Sequence, residues 1–225
     1  MKTLFTLIII LLIFKVDACA QFISVQTGFS STTVEYKFKD QEKFEDYYDF
    51  NAGFQFGFMA EFPLTKIISI VPGVLLQTKG FHTSGSFNPD IEYSWDHDFN
   101  LWYLDIPVLL NVNIPVAKIT FFTDIGPFAG IGLSGKYKYK DVIGNNVDVS
   151  KGKFNWGTDD EAFFKRLEYG AMARIGAEIK HVKFGVSYAL SLSNIAVNEN
   201  NTFKNKVFTF FVSYPIFNLK DATNR

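Results

Sequence analysis

The 225-residue sequence holds one cysteine, three histidines, no surplus of positive charge and only one long unbroken apolar run. Each scarcity closes a class of function. A single thiol, Cys19, cannot form an intrachain disulfide or a zinc site built on several thiolates. Lys and Arg number 22 against 23 Asp and Glu, for a net charge of −1. Nucleic acid, which is held through a basic surplus, is therefore not an expected partner. A mean hydropathy of +0.07 is far too low for a bundle of membrane helices. What the chain has in excess is phenylalanine, 26 copies in a sequence that is 17% aromatic.

The one apolar run, Leu4 to Phe14, follows Lys2 and precedes Ala18-Cys19-Ala20. A basic start, a short apolar segment and an Ala-x-Ala site are the parts of a secretory signal peptide, with cleavage expected before Gln21. The run is short for an uncleaved span of about 20 residues. Val16-Asp17-Ala18-Cys19 also loosely resembles a lipoprotein cleavage box, but Lys15 and Asp17 interrupt it. The expected division is residues 1–20 as signal peptide and 21–225 as one mature domain without cysteine.

The stretch Asp49 to Phe62 sets the fold. Phe50, Ala52, Phe54, Phe56, Phe58, Ala60 and Phe62 alternate with Asn51, Gly53, Gln55, Gly57, Met59 and Glu61, a period-two partition that only a strand provides. An interior of about eight strands is just wide enough for ordinary side chains, so several Phe-rich faces would overfill it. The small and polar face fits inside, and the phenylalanines then face lipid.

The same alternation recurs along the chain. Strands are expected at Ile23–Ser30, Phe50–Phe62, Ile68–Gly80, Leu101–Ile114, Ile119–Leu133, Glu168–Ile179, Val182–Leu192 and Phe208–Ile216. Tight turns at Pro63–Lys66, Pro115–Lys118 and Lys180–His181 alternate with long polar connections at Lys37–Asp49, Phe81–Asp98, Asp141–Lys165 and Asn194–Asn205. Lys136-Tyr137-Lys138-Tyr139-Lys140 carries the fifth strand past the membrane. The expected fold is all-β: an eight-stranded antiparallel transmembrane β-barrel with short periplasmic turns and long external loops.

Three motifs add a resemblance. Over essentially the whole mature chain the sequence resembles the PorT-like outer-membrane β-barrel family, also called porin family or outer membrane beta-barrel proteins. The likeness rests on Ile68-Ser-Ile-Val-Pro72-Gly-Val-Leu-Leu-Gln-Thr-Lys79-Gly80, on Tyr103-Leu104-Asp105-Ile106-Pro107 and on Gly126-Pro127-Phe128. Gly73 departs from it, since the family commonly has an acidic residue after the strand proline. The resemblance implies a barrel in the bacterial outer membrane and says little about activity.

Other chemistry is weighed against plainer readings. Gly130-Ile131-Gly132-Leu133-Ser134-Gly135 has dinucleotide-loop spacing, but a strand pattern follows where the pyrophosphate needs a helix N-terminus; no cofactor is expected. His82 with Ser84 or Ser86, and His97 between Asp96 and Asp98, are the only combinations that a rim hydrolase could use. Asp96-His97-Asp98 and Asp159-Asp160-Glu161 lack the spacing of a dedicated calcium loop, so neither a metal nor a catalytic residue is assigned. The informative charges are those of inward parity: Glu61, Lys79, Asp105, Asp124, Glu168, Arg174, Glu178 and Lys183. Unpaired charges in an interior cost several kcal/mol each, so both signs on one face predict a paired polar network filling the lumen, including Asp124 with Arg174.

The expectation is a non-enzymatic outer-membrane barrel whose external loops serve recognition or envelope structure. Its partners are outer-membrane lipid and, in the alternative reading of a small pore or accessory secretion component, other envelope or secretion proteins. A rim hydrolase is a third class.

Overall fold

The computed structural model describes residues 22–38, 48–87, 93–158, 162–198 and 200–218. The leader with Cys19, most of the charged stretch after Lys37, and Asp159-Asp160-Glu161 lie outside the described residues. Among the described residues ten strands form: β1 (Phe22–Phe38), β2 (Tyr48–Asp49), β3 (Asn51–Pro63), β4 (Ile68–Phe87), β5 (Tyr93–Val116), β6 (Ile119–Ile143), β7 (Asn146–Lys153), β8 (Leu167–Ile179), β9 (Val182–Ser191) and β10 (Asn201–Asn218). Eight of them pair antiparallel in the order β4-β3-β1-β10-β9-β8-β6-β5, and β5 pairs with β4 to close the ring. Closure satisfies every strand edge, which a sheet surrounded by lipid requires. The short β2 adds to β4, and β7 adds to β6.

Alternation sorts the side chains as the period demands. Along β3, Phe54, Phe56 and Phe58 are exposed while Gln55, Gly57 and Met59 are buried. Along β8, Ile175, 61% exposed, sits beside Arg174, 5% exposed. A closed barrel with its isoleucines outside and its arginine inside is turned outward for lipid.

The three tight connections have local causes. Thr65 Oγ1 accepts hydrogen bonds from the amides of Ile67 (3.2 Å) and Ile68 (3.0 Å), tying the β3–β4 turn. Lys180 and His181 both have positive φ, 49° and 68°, as in the two-residue hairpin turn whose twist matches its strands. Ala117, with φ 56°, bends the β5–β6 turn.

At the other end the strands run on well past the expected boundaries. The expected loop Phe81–Asp98 is largely strand, because β4 continues to Phe87 and β5 begins at Tyr93, with Phe87 paired to Tyr93. Above the lipid the outer face meets water, so Ser, Asn, Asp and His are as acceptable there as Phe is below. The expected connection Asp141–Lys165 contains the β6–β7 hairpin, with Gly144 at φ 59° in its turn. On β6 the outward residues change from Ile131 and Leu133 to Lys136, Lys138 and Lys140, all exposed, which marks where the lipid-facing belt ends. A bulge falls there: Trp102 pairs with Ser134 and Tyr103 with Gly132, leaving Leu133 as the extra residue.

Candidate functional site

Two regions carry the chemistry: the lumen and the mouth at the long-loop end. All eight inward charges point into the lumen, where they form three stacked groups. Nearest the tight turns, Lys183 Nζ meets Glu61 (2.6 Å) and Glu178 (3.9 Å), and Glu61 also accepts from Ser69 (3.0 Å) and Asn113 (3.1 Å). At mid-height, Asp124 and Arg174 are directly opposed on β6 and β8. Arg174 Nε donates to Asp124 Oδ2 (2.6 Å), its Nη1 donates to Gln26 (2.9 Å), and Asn111 donates to the other carboxylate oxygen. Gln26, Gln55 and Gln77 extend this layer across β1, β3 and β4 through bonds of 2.7 and 3.1 Å. Highest, Lys79 Nζ lies 2.9 Å from both Asp105 and Glu168, and Asn205 donates to Glu168 (3.2 Å).

Each cation also faces an aromatic ring. Lys79 lies 4.5 Å from the centroid of Tyr103 and 4.8 Å from that of Phe128, Arg174 lies 5.3 Å from Phe211, and Lys183 lies 5.4 Å from Phe122. For Lys79 and Arg174, both buried, these rings stand where an exposed cation would meet solvent. Met59, Val71, Leu75, Leu109, Phe128 and Met172 pack between the polar layers. Sequence parity names the eight charges; it does not name the glutamine and asparagine bridges or the rings, which are uncharged and scattered over β1, β3, β4, β5, β6 and β10.

At the mouth, the sequence pattern marks histidines but no cavity. The segment that follows β7 folds back into the barrel opening, with Trp156 bridged to Phe164 and Phe164 bridged to Ala196. Its entry depends on the glycines of the 130–135 stretch. A Cβ at Gly132 would stand 2.4 Å from the Trp156 ring, and one at Gly135 would stand 3.0 Å from Phe154. The glycine pattern is the wall against which these two rings lie.

Above this plug is a cup of about 510 Å³. Tyr36, Phe81, Phe99, Tyr139, Phe154, Phe164 and Phe203 line it, together with His97, Thr83, Asn198 and Asn201. Phe81 stacks on Phe99 (4.2 Å), Phe99 on Phe154 (5.7 Å), and Phe164 meets Phe203 edge-on (5.6 Å). Leu101, Tyr103 and Ile195 close the floor, directly above the Lys79 group. His97 Nε2 lies 3.1 Å from Asp141 Oδ1, which also accepts from the Tyr93 hydroxyl (3.0 Å). That hydrogen bond raises the Tyr93 pKa, and burial raises that of Tyr139.

The histidines are distributed by strand parity. His97 faces the cup, while His82, Asp96 and Asp98 share the outer face of the β4–β5 hairpin, with His82 Nδ1 2.9 Å from Asp98. The expected Asp96-His97-Asp98 trio is thus split between two faces, and His82 stands in for His97 beside the two carboxylates. Neither His82 nor His97 is hydrogen-bonded to a serine among the described residues. His181 lies 74% exposed at the opposite end, 3.7 Å from Glu178.

The closed antiparallel ring has an apolar exterior and a polar interior. The family described as outer membrane protein beta-barrel domain matches residues 20–197. The chain belongs to that family. As a member of the outer membrane protein beta-barrel domain family it is an integral protein of the bacterial outer membrane, with the Phe-rich face in lipid. No curated protein sequence matches it. Similar solved structures include Ail, the attachment invasion locus protein of Yersinia pestis, at 12% identity and TM-score 0.36, covering 87% of this chain and 100% of that one. Neisserial surface protein A follows at 9% identity and TM-score 0.42, covering 85% and 96%. OprG from Pseudomonas aeruginosa gives 10% identity and TM-score 0.40, covering 88% and 96%.

Proposed function

We propose that the protein is a closed, non-enzymatic outer-membrane barrel that presents its external hairpins and mouth for recognition. We assign it to the PorT-like branch of the barrel family on the Ile68–Gly80 and Tyr103–Pro107 motifs, and propose that it is exported by cleavage of residues 1–20. The observation that carries this reading is the lumen: three layers of paired side chains cross it, from Lys183 with Glu61 to Lys79 with Asp105 and Glu168. A conduction path needs sites that an ion can leave, whereas here each cation is already matched by carboxylates of the wall.

Planar bilayers test this. The purified protein is expected to give no steady single-channel current at 1 M salt, and steady currents of defined size would promote the small-pore reading. Arg174→Ala is expected to destabilise the barrel by about 3 to 5 kcal/mol in urea titration, because Asp124 is left buried without its cation. Unfolding like the unaltered protein would show the middle layer to be solvated.

A further inference from the structure

We infer that the aromatic cup at the mouth is a binding site for a small planar aromatic molecule carrying one hydrogen-bond donor, of the phenol or indole class. This deepens the recognition role proposed above and rests on it. Three observations meet here. The first is shape. A cavity of about 510 Å³ with a sealed floor is of the size that holds a small ligand, and it opens away from the lumen layers rather than through them. Whatever enters from outside stops there.

The second is surface. The walls are ring faces and edges contributed by β1, β4, β5, β6, β10 and the segment after β7, with Phe81, Phe99, Phe154, Phe164 and Phe203 already in stacked and edge-on pairs. Such walls reward another flat ring, which finds offset faces and edges at the spacing that aromatic pairs prefer. A long flexible chain would gain less and lose more rotamer freedom.

The third is a polar pole. The Asp141 carboxylate accepts hydrogen bonds and has none to give, so the hydrogen shared with His97 resides on His97 Nε2. Where the ring carries a single hydrogen, Nδ1 is then an acceptor, and it has no partner among the described residues. Asp141 thereby fixes the tautomer that a ligand donor meets, while Tyr93 holds the carboxylate from its other side. A ligand hydroxyl or ring N–H satisfies Nδ1; an apolar ring without a donor fills the cup and leaves it bare.

The test uses 2-naphthol and its methyl ether, 2-methoxynaphthalene, titrated by calorimetry into the full protein in lipid nanodiscs, with empty nanodiscs as reference for partitioning into lipid. The unaltered protein is expected to bind 2-naphthol with one-to-one stoichiometry above the empty-disc signal. His97→Phe, which keeps a ring and removes the acceptor, is expected to weaken 2-naphthol by about five- to tenfold and to leave 2-methoxynaphthalene unchanged. Thr83→Trp, which fills the cup from β4, is expected to abolish both. Two results overturn the proposal: 2-naphthol uptake no greater than that of empty discs, or equal loss of both probes in His97→Phe. The first needs no variant and stands whatever Thr83→Trp does to folding. Failure here leaves a closed, non-conducting barrel intact, and a conducting barrel that still binds 2-naphthol would instead overturn the closed-lumen reading alone.

Discussion

Lys79 shows what a single residue contributes. It is 1% exposed, holds Asp105 and Glu168 at 2.9 Å each, and so serves as the one cation between two buried carboxylates. Lys79→Met keeps most of the volume and removes the charge, leaving two acids facing each other in a dry interior. A loss of about 3 to 5 kcal/mol is expected, read as a lower urea midpoint. Adding Asp105→Asn and Glu168→Gln to the same chain should restore much of it, since a neutral hydrogen-bonded cluster has no charge to desolvate. If the triple variant is no more stable than Lys79→Met, the loss comes from packing against Tyr103 and Phe128 and not from charge. The position of Lys79 was legible in sequence, because on a period-two strand Gln77 and Lys79 share a side opposite Val74 and Leu76. Its choice of partners was not. That depends on the register between β4 and β5, where Lys79 pairs with Leu101 and not with Asp105, so the contact is a diagonal one across the interior.

At the scale of elements, the barrel strands were readable as far as lipid imposes the contrast between faces. Beyond it the contrast fades, and 81–98 reads as loop from its Ser, Gly, Asn and Asp content, although Phe81 and Thr83 on one strand and His97 and Phe99 on the other keep their inward parity. The plug was the least legible element. Nothing in Phe154 to Phe164 has strand or helix period, and the glycines that admit it lie about twenty residues away on β6, Gly135 against Phe154 and Gly132 against Trp156. Their role gives a prediction. Gly132→Val places a branched side chain where Trp156 now lies, at a spot where even a Cβ would stand 2.4 Å from that ring. The plug is expected to be displaced with the barrel intact: heat-modifiable mobility on a denaturing gel unchanged, and chymotrypsin added to whole cells newly cutting at Phe154, which is buried in the unaltered protein. Gly144→Val, where nothing lies within 4 Å of an added Cβ but φ is 59°, is expected to strain the β6–β7 turn without exposing that segment. Equal protection of Gly132→Val and the unaltered protein would mean that Trp156 is not held by the wall.

For the whole molecule the governing fact is an inverted arrangement, with the oily residues outside and the charges within. Phe56, 41% exposed on β3, lies opposite Thr27 of β1 and Leu76 of β4 in the lipid-facing belt. Ser84, also on an outer face, belongs to the β4–β5 hairpin beyond that belt, opposite Asp96. Arginine at the two sites therefore meets hydrocarbon in one case and water in the other. The cost at the bilayer midplane is about 2 to 4 kcal/mol and falls toward zero past the interface, so Phe56→Arg should lower the yield of folded protein in the outer membrane and its stability in vesicles, while Ser84→Arg should leave both unchanged. Arginine at Gln55, the inward neighbour, would be a poor comparison, because Gln55 bridges Gln26 and Gln77 beside Arg174 and a second cation there disturbs the middle layer. Equal insertion of Phe56→Arg and Ser84→Arg would mean that the phenylalanine face does not meet lipid, and the inside-out reading of the fold would fall with it.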